Sequence, residues 1–348
     1  ANERQGNDPA TTPTTNVSVS RSTHFFDPAT GTWTDGPLLG TARQAHSAVL
    51  LANGKLLVAG GTGPQTISGS NNLASAEIYD PATNAWTPAG NMKIPRVNFA
   101  MVALPGGKVL AVGGSSNNLF QSSTELWDPA TNTWAYTNNG TSDTSMSEQK
   151  GFPAPFLLSN GMVAVAGGSS PNTSTPTAAV ELFDPATQNW TVLATPLSQA
   201  RSGHFPVALP NGKFALLAGR VLNSFGFLAA VGAPGGAAGA VEIYDTLANG
   251  GQGTTVTTAN AFFKTEGRVN AAAVMLPGGK VLLAGGSVNS TTGASTSEIY
   301  DPANDTLTIG PALTTGQGTS VLGVGLGNGD VMLIGGDKAD TITQICRP

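Results

Sequence analysis

The apolar positions of this chain fall in short runs that recur. The clearest reads Glu, hydrophobic, aromatic, Asp, and is written five times: Glu77 to Asp80, Glu125 to Asp128, Glu181 to Asp184, Glu242 to Asp245 and Glu298 to Asp301. A weaker sixth copy runs from His24 to Asp27. A Trp follows the aromatic by seven positions at Trp33, Trp86, Trp134 and Trp190, and Leu307 takes that place after Tyr300. In four copies Pro-Ala-Thr follows the Asp. That is a turn with a mechanism: Pro presets φ and the Asp side chain caps the backbone.

A second unit keeps the same phase. The turns Asn53-Gly54, Gly106-Gly107, Asn160-Gly161, Asn211-Gly212, Gly278-Gly279 and Asn328-Gly329 each precede a short apolar run. The run ends in paired glycines at Gly60-Gly61, Gly113-Gly114, Gly167-Gly168, Gly285-Gly286 and Gly335-Gly336, with Ala218-Gly219 as a degenerate copy. Asn-Gly and Gly-Gly between apolar segments are strong hairpin signals, since both turn positions need positive φ. Each repeat therefore predicts four short strands. Strands a and b flank the Asn-Gly-type turn, c carries Glu-x-aromatic and d carries the Trp.

Paired glycines followed, in the same repeat, by an aromatic and a Trp resemble the Kelch repeat. Residues 23–348 hold six in-phase copies of about 54 residues, near the roughly 50 of that family. The resemblance implies an all-β fold, a six-bladed β-propeller of four-stranded antiparallel blades in one domain (23–348) behind a polar tail (1–22). The chain starts with c–d and ends with a–b, which predicts that the N-terminal strands (23–34) close the last blade beside 317–336. Thr343 to Pro348 also reads as a c strand, with Cys346 in the aromatic slot, and competes for that position.

Composition narrows the function. Charged residues make up 11%, against about 25% in an ordinary domain. Net charge −5 argues against a nucleic-acid or anionic-membrane partner. No apolar run approaches the length of a membrane span, and a single cysteine excludes a disulfide framework or a cysteine-cluster metal site. The polar start at Ala1 reads as a processed end. A surface rich in Ser, Thr, Asn and Gly with few Lys reads as a secreted bacterial protein, extracellular or at the cell surface.

Strand alternation puts the a–b and c–d turns at one end of each blade and the long, irregular b–c and d–a loops at the other. The variable loops are the expected binding face. Seventeen residues before the first glycine position stand Arg43, Arg96, Lys150, Arg201 and Arg268, then Gly318. One reading is a ligand-binding cationic ring at the channel mouth. The other, favoured, is structural: each cation pairs within its own blade with Glu77, Glu125, Glu181, Glu242 or Glu298. Cation and carboxylate vanish together in the sixth blade, which offers Gly318 with His24 or Gln344.

Kelch propellers resemble the central domain of galactose oxidase, whose copper site implies two His, a Tyr and a Tyr cross-linked to Cys. Here His46 and His204 fall in blades one and four, Tyr79, Tyr244 and Tyr300 take the packing slot, and Cys346 is the third residue from the end. Neither a metal site nor a cofactor is expected. Bacterial Kelch propellers also include sialic-acid isomerising enzymes, and Arg201 with Glu242 or Arg268 with Glu298 would be the matching proton-transfer pairs. Blade four breaks the repeat: its b–c loop carries Phe225, Phe227 and Leu228, and the next segment Phe262 and Phe263. These either fold over their blade or form a partner contact. The tail, rich in Thr, Asn and Pro, has little to fold with on its own. The expected function is a non-catalytic binding or assembly module, for a protein partner, a second copy or a surface assembly, with carbohydrate a further candidate ligand. The alternative is a carbohydrate-active isomerase or lyase at the channel mouth.

Overall fold

The computed structural model describes residues 19–64, 71–169, 175–209, 212–222, 228–230, 241–256, 268, 271–286, 294–314, 321–335 and 343–348, with backbone only at 222 and 228–230. Phe225, Phe227, Phe262, Phe263 and Gly318 lie outside them, and Leu228 is placed by its backbone alone.

The first strands, β1 (His24–Asp27) and β2 (Thr32–Asp35), form a two-stranded sheet of their own. Blade one is β3 (Ser47–Leu50), β4 (Leu56–Ala59), β5 (Ser75–Asp80) and β6 (Ala85–Asn91). Blade two begins with β7 (Ala100–Ala103) and β8 (Val109–Val112). A ribbon of β9 (Ser115–Ser116) and β10 (Leu119–Phe120) follows, and β11 (Thr124–Asp128) and β12 (Thr133–Tyr136) complete the blade. Blade three is β13 (Pro155–Leu157), β14 (Val163–Ala166), β15 (Val180–Asp184) and β16 (Asn189–Val192). Blade four starts with β17 (Phe205–Ala208) and β18 (Lys213–Leu217), and carries a ribbon of β19 (Arg220–Leu222) and β20 (Leu228–Ala230). It ends with β21 (Val241–Asp245), one helical turn α1 (Ala248–Gly251) and β22 (Thr254–Val256). Blade five is β23 (Ala272–Met275), β24 (Val281–Ala284), β25 (Ser297–Asp301) and β26 (Thr306–Ile309). Blade six is β27 (Leu322–Gly325), β28 (Val331–Ile334) and β29 (Thr343–Cys346).

The fold is the six-bladed all-β propeller that the repeat implied, every named strand pair antiparallel in the order a, b, c, d. Five blades have four strands and the sixth has three among the described residues. Strand b is buried on both sides, which is why its run is continuously apolar rather than alternating: Val109–Val112 and Val163–Ala166 are buried throughout. The aromatic of strand c packs onto the preceding blade. Trp127 and Trp134 join Leu57 and Ala59 of blade one, Phe183 joins Val112 of blade two, and Tyr300 joins Leu217 of blade four. The paired glycines let the chain turn where nothing larger fits. Gly114 has φ +82, and a Cβ there would lie 2.5 Å from that of Phe99.

Blade six departs from the expected closure by the N-terminal strands. β29, not β1, pairs with β28, with Leu333 opposite Gln344 and Met332 opposite Ile345. The connection from β28 to β29 is short, so closing it costs little chain entropy. Cys346 fills the aromatic slot, buried with Leu282 and Leu333. The β1–β2 hairpin leans instead on blade one: the Phe25 ring lies 5.6 Å from Tyr79, and Trp86 Nε1 donates to the Pro37 carbonyl at 3.1 Å. Val19 is buried, and Ser20 accepts from the Arg43 amide at 3.0 Å, so the last residues of the tail belong to the propeller wall.

Candidate functional site

The two ends of the propeller are told apart by ion pairs. Lys55, Lys108, Lys213 and Lys280, just past the a–b turns, reach Asp80, Asp128, Asp245 and Asp301 at the c–d turns, at 2.9, 3.0, 3.5 and 3.1 Å. Both sets of turns therefore share one end. The same aspartates cap their own turns: Asp128 Oδ1 accepts the Ala130 amide at 2.9 Å and Asp301 Oδ1 that of Ala303 at 3.0 Å. Those bonds hold both carboxyls below the usual carboxylate range. The β9–β10 and β19–β20 ribbons belong to b–c loops and mark the opposite end.

At that loop end the five basic residues stand at the starts of the a strands, and all five are buried. Each acts as a strap within its own blade. Arg96 Nη1 donates to the carbonyl of Gly113, seventeen residues on, at 2.8 Å and to that of Ser123 at 2.9 Å. Its Nη2 reaches Ser123 Oγ at 2.9 Å and Glu125 Oε1 at 3.0 Å. Arg43 repeats this on Gly60 and Ser75 with Glu77 at 2.8 Å, and Arg268 on Gly285 and Thr296 with Glu298 at 3.6 Å. Arg201 reaches Glu242 at 2.7 Å, and in this blade, where Ala218 replaces the first glycine, its Nη1 meets Leu216 O at 3.5 Å. Lys150 stands between Glu148 at 3.3 Å and Glu181 at 3.5 Å. Burial pulls the Arg96 and Arg201 guanidiniums below their ordinary value, and Glu125 and Glu242 oppose it.

Sequence reasoning missed what the carboxylates also do. Four of the five accept backbone N–H groups from the d–a loop that enters their blade. Glu77 takes the amides of Gly40 and Thr41 at 2.5 and 3.0 Å, Glu125 those of Lys93 and Ile94 at 2.6 and 3.2 Å. Glu181 takes that of Ser147 at 2.6 Å and Glu242 that of Ser198 at 2.5 Å. In blade six Gln344 Oε1 does the same, accepting the Thr314 amide at 2.7 Å and its hydroxyl at 2.6 Å. A neutral amide keeps the backbone contact where position 318 holds no cation. The signal was in the sequence only as the joint change at 318 and 344.

The other candidates are scattered. His204 is buried, and burial together with the nearby Arg201 charge pulls it down to about 3, so it is neutral. His46 is also lowered, by burial and then by Arg43. Cys346 sits in the core between blades five and six, its thiol pushed up by burial. Tyr244, pushed up to about 12 by burial and then by Glu242, donates its hydroxyl proton to the Thr195 carbonyl. Among the described residues no three of His, Cys, Asp and Glu stand where they could hold one metal ion.

An apolar feature on the loop face also escaped the sequence reading. Leu119, at the tip of the β9–β10 ribbon, is 69% exposed and Phe152, on the d–a loop of blade three, 64%. Phe120 lies between them, its ring against Gly151, where a Cβ would meet it at 2.3 Å. Leu119-Phe120 interrupts a polar stretch, with Asn117-Asn118 before it and Gln121-Ser122 after it, and that was the available signal; Phe152, between Gly151 and Pro153, gave none.

Fold and site together define a rigid propeller scaffold whose charged ring is taken up by contacts within the blades and whose open chemistry lies on its loops. The profile of the KLHDC2/KLHL20/DRC7 Kelch-repeats domain matches residues 11–219, and the chain belongs to the Kelch-repeat family. A putative F-box/kelch-repeat protein of Arabidopsis thaliana is 30% identical over 163 residues, 44% of this chain and 42% of that protein, so the match spans less than half of the relative. Among solved structures, a fungal alcohol oxidase of the AA5 family in complex with copper superposes with a TM-score of 0.71 at 18% identity, covering 94% of this chain and 67% of that one. The structure of YjhT superposes with a TM-score of 0.59 at 15% identity, covering 86% and 99%. At these identities the likeness shows the fold alone. A Kelch propeller is consistent with a protein-binding module. Among the described residues no helix is long and apolar enough to cross a membrane.

Proposed function

We propose that this propeller is a non-catalytic binding and assembly module that engages a protein partner through its loop face, at Leu119, Phe120 and Phe152. The observation that carries this reading is the contrast at that end of the molecule. The basic residues that would make a catalytic or anion-binding mouth are closed off by their own blades, while two large apolar side chains stand open beside them. Exposed apolar groups gathered on loops of a rigid scaffold are the usual mark of a contact surface. The enzyme reading needs one cation–carboxylate pair freed from its blade, and none of the five is. The low charge and Ser/Thr/Asn-rich surface support action outside the cell or on its surface.

A photo-crosslinking residue placed at position 119 in the producing cells, with a second placed at Ala82 on the turn end, tests the face. Adducts with a discrete protein from position 119 and none from position 82 are the expected result. Equal labelling, or none at 119, would overturn the assignment. Protease treatment of intact cells tests the location: an external protein is degraded without lysis.

A further inference from the structure

The straps of the charged ring are not equal. In blades one and two the strap is an Arg with a Ser two residues before the Glu. Arg43 reaches Gly60 O at 2.7 Å, Ser75 O at 3.0 Å, Ser75 Oγ at 3.2 Å and Glu77 at 2.8 Å. Arg96 makes the same four contacts in blade two, on Gly113 O at 2.8 Å, Ser123 O at 2.9 Å, Ser123 Oγ at 2.9 Å and Glu125 at 3.0 Å. Blade five keeps the pattern with Arg268 on the carbonyl and the hydroxyl of Thr296, both at 2.9 Å. Blade three has Lys150 and Ala179 in these places. Lys is shorter than Arg by two heavy atoms, and Ala has no hydroxyl, so both changes shorten the strap.

The distances show the effect. An ammonium carries three N–H donors, and those of Lys150 meet Glu148 at 3.3 Å, Gly167 O at 3.4 Å and Glu181 Oε1 at 3.5 Å. All three are longer than the roughly 2.9 Å usual for such a bond. The Lys150 and Glu181 side chains are both fully buried. Glu181 Oε2 takes the Ser147 amide at 2.6 Å, but Oε1 is buried without a hydrogen bond. Glu77 and Glu125, by contrast, each receive two backbone amides and an Arg at ordinary distances. A buried carboxylate oxygen without a donor is costly, and native proteins supply one from the chain or from water.

The chemistry of the place selects its ligand. It must accept from an ammonium and donate to a carboxylate. Glu181 disfavours an anion there and Lys150 a cation, which leaves a neutral molecule that is donor and acceptor at once. The strap is shorter than that of blade two by about a guanidinium nitrogen and a hydroxyl, so the molecule is of that size. Water fits both conditions, and a buried water makes two to four bonds of this kind. We propose that blade three binds an ordered water between Lys150 Nζ, Glu181 Oε1 and the Gly167 carbonyl, in the role that Arg96 Nη2 and Ser123 Oγ fill in blade two. The water accepts from Nζ and donates its two hydrogens to Oε1 and to Gly167 O.

A crystal structure of the native protein at a resolution that shows solvent, together with water magnetic relaxation dispersion in solution, tests this. The expected density is a single peak within hydrogen-bond distance of Lys150 Nζ and Glu181 Oε1, without anomalous signal. Lys150→Arg with Ala179→Ser rebuilds the strap of blade two. That double variant should lose the peak, hold one long-lived internal water fewer and unfold at a higher temperature. If it does not fold, the native crystal structure decides alone. Lys150 Nζ in direct contact with Glu181 at ordinary hydrogen-bond length, with no solvent between them, would overturn the proposal. So would an anomalous peak at that place, which marks an ion, or a folded double variant with the same number of long-lived waters as the native protein.

Discussion

The Arg96–Glu125 pair offers the sharpest test of how the ring works. Replacing Arg96 with Ala removes donors to Gly113 O, Ser123 O and Ser123 Oγ as well as to Glu125. It leaves Glu125 charged in a site where both side chains are fully buried. Two backbone N–H groups still reach that carboxylate, which softens the loss without supplying a counter-charge. Breaking a buried pair on one side costs about 3–5 kcal/mol. An exposed pair such as Lys108–Asp128 is screened by water and contributes little, so Lys108→Ala is the internal control. Blade six supplies the compensated design, an uncharged amide on strand c that keeps its backbone bond. Arg96→Ala with Glu125→Gln should therefore cost at least about 2 kcal/mol less than the sum of the two single changes, well above the roughly 0.5 kcal/mol within which independent sites add. Denaturant unfolding of the four proteins closes the cycle. Additive losses, or an Arg96→Ala effect no larger than that of Lys108→Ala, would refute the buried-strap reasoning and reopen the ring as a ligand site.

Three further outcomes are expected. His204 has its folded value lowered to about 3 from an ordinary 6.5, so the unfolded chain takes up the proton first as pH falls. Each pH unit below 6.5 should then cost the native state about 1.4 kcal/mol down to about pH 3, and His204→Asn, followed by unfolding against pH, should flatten that slope; an unchanged slope assigns it to other groups. Gly106→Ala, at φ +89 with open space around it, should cost about 1–2 kcal/mol from backbone strain alone, whereas Gly114→Ala also drives a methyl into Phe99 and the Val97 carbonyl and should cost clearly more; equal losses in thermal unfolding would mean the glycine bend is not tightly packed. Metal analysis of the native protein should find no stoichiometric copper and assays no aldehyde production; one copper per chain would reverse that expectation.

Much of this protein was legible in its sequence because a repeat writes the same physical instruction several times. The four-strand unit, the Asp-capped turns, the two ends of the propeller and the seventeen-residue spacing from Arg96 to Gly113 follow from local rules: short recurring apolar runs, turn chemistry and charges that must be matched once buried. The joint change at 318 and 344 even pointed to the pairing within blades. Three things were not legible. The second use of Glu77, Glu125, Glu181 and Glu242, as acceptors for the incoming d–a loop, depends on where a distant backbone passes. The Leu119–Phe120–Phe152 patch joins two loops that meet only when blades two and three pack. The choice between β1 and β29 at the edge of β28 pits two strands of nearly the same pattern against each other, and pattern alone cannot rank them. Only the tertiary structure decides it, because the winner is set by chain connectivity and by which side chain, Cys346 or Phe26, fits the space that blade five leaves.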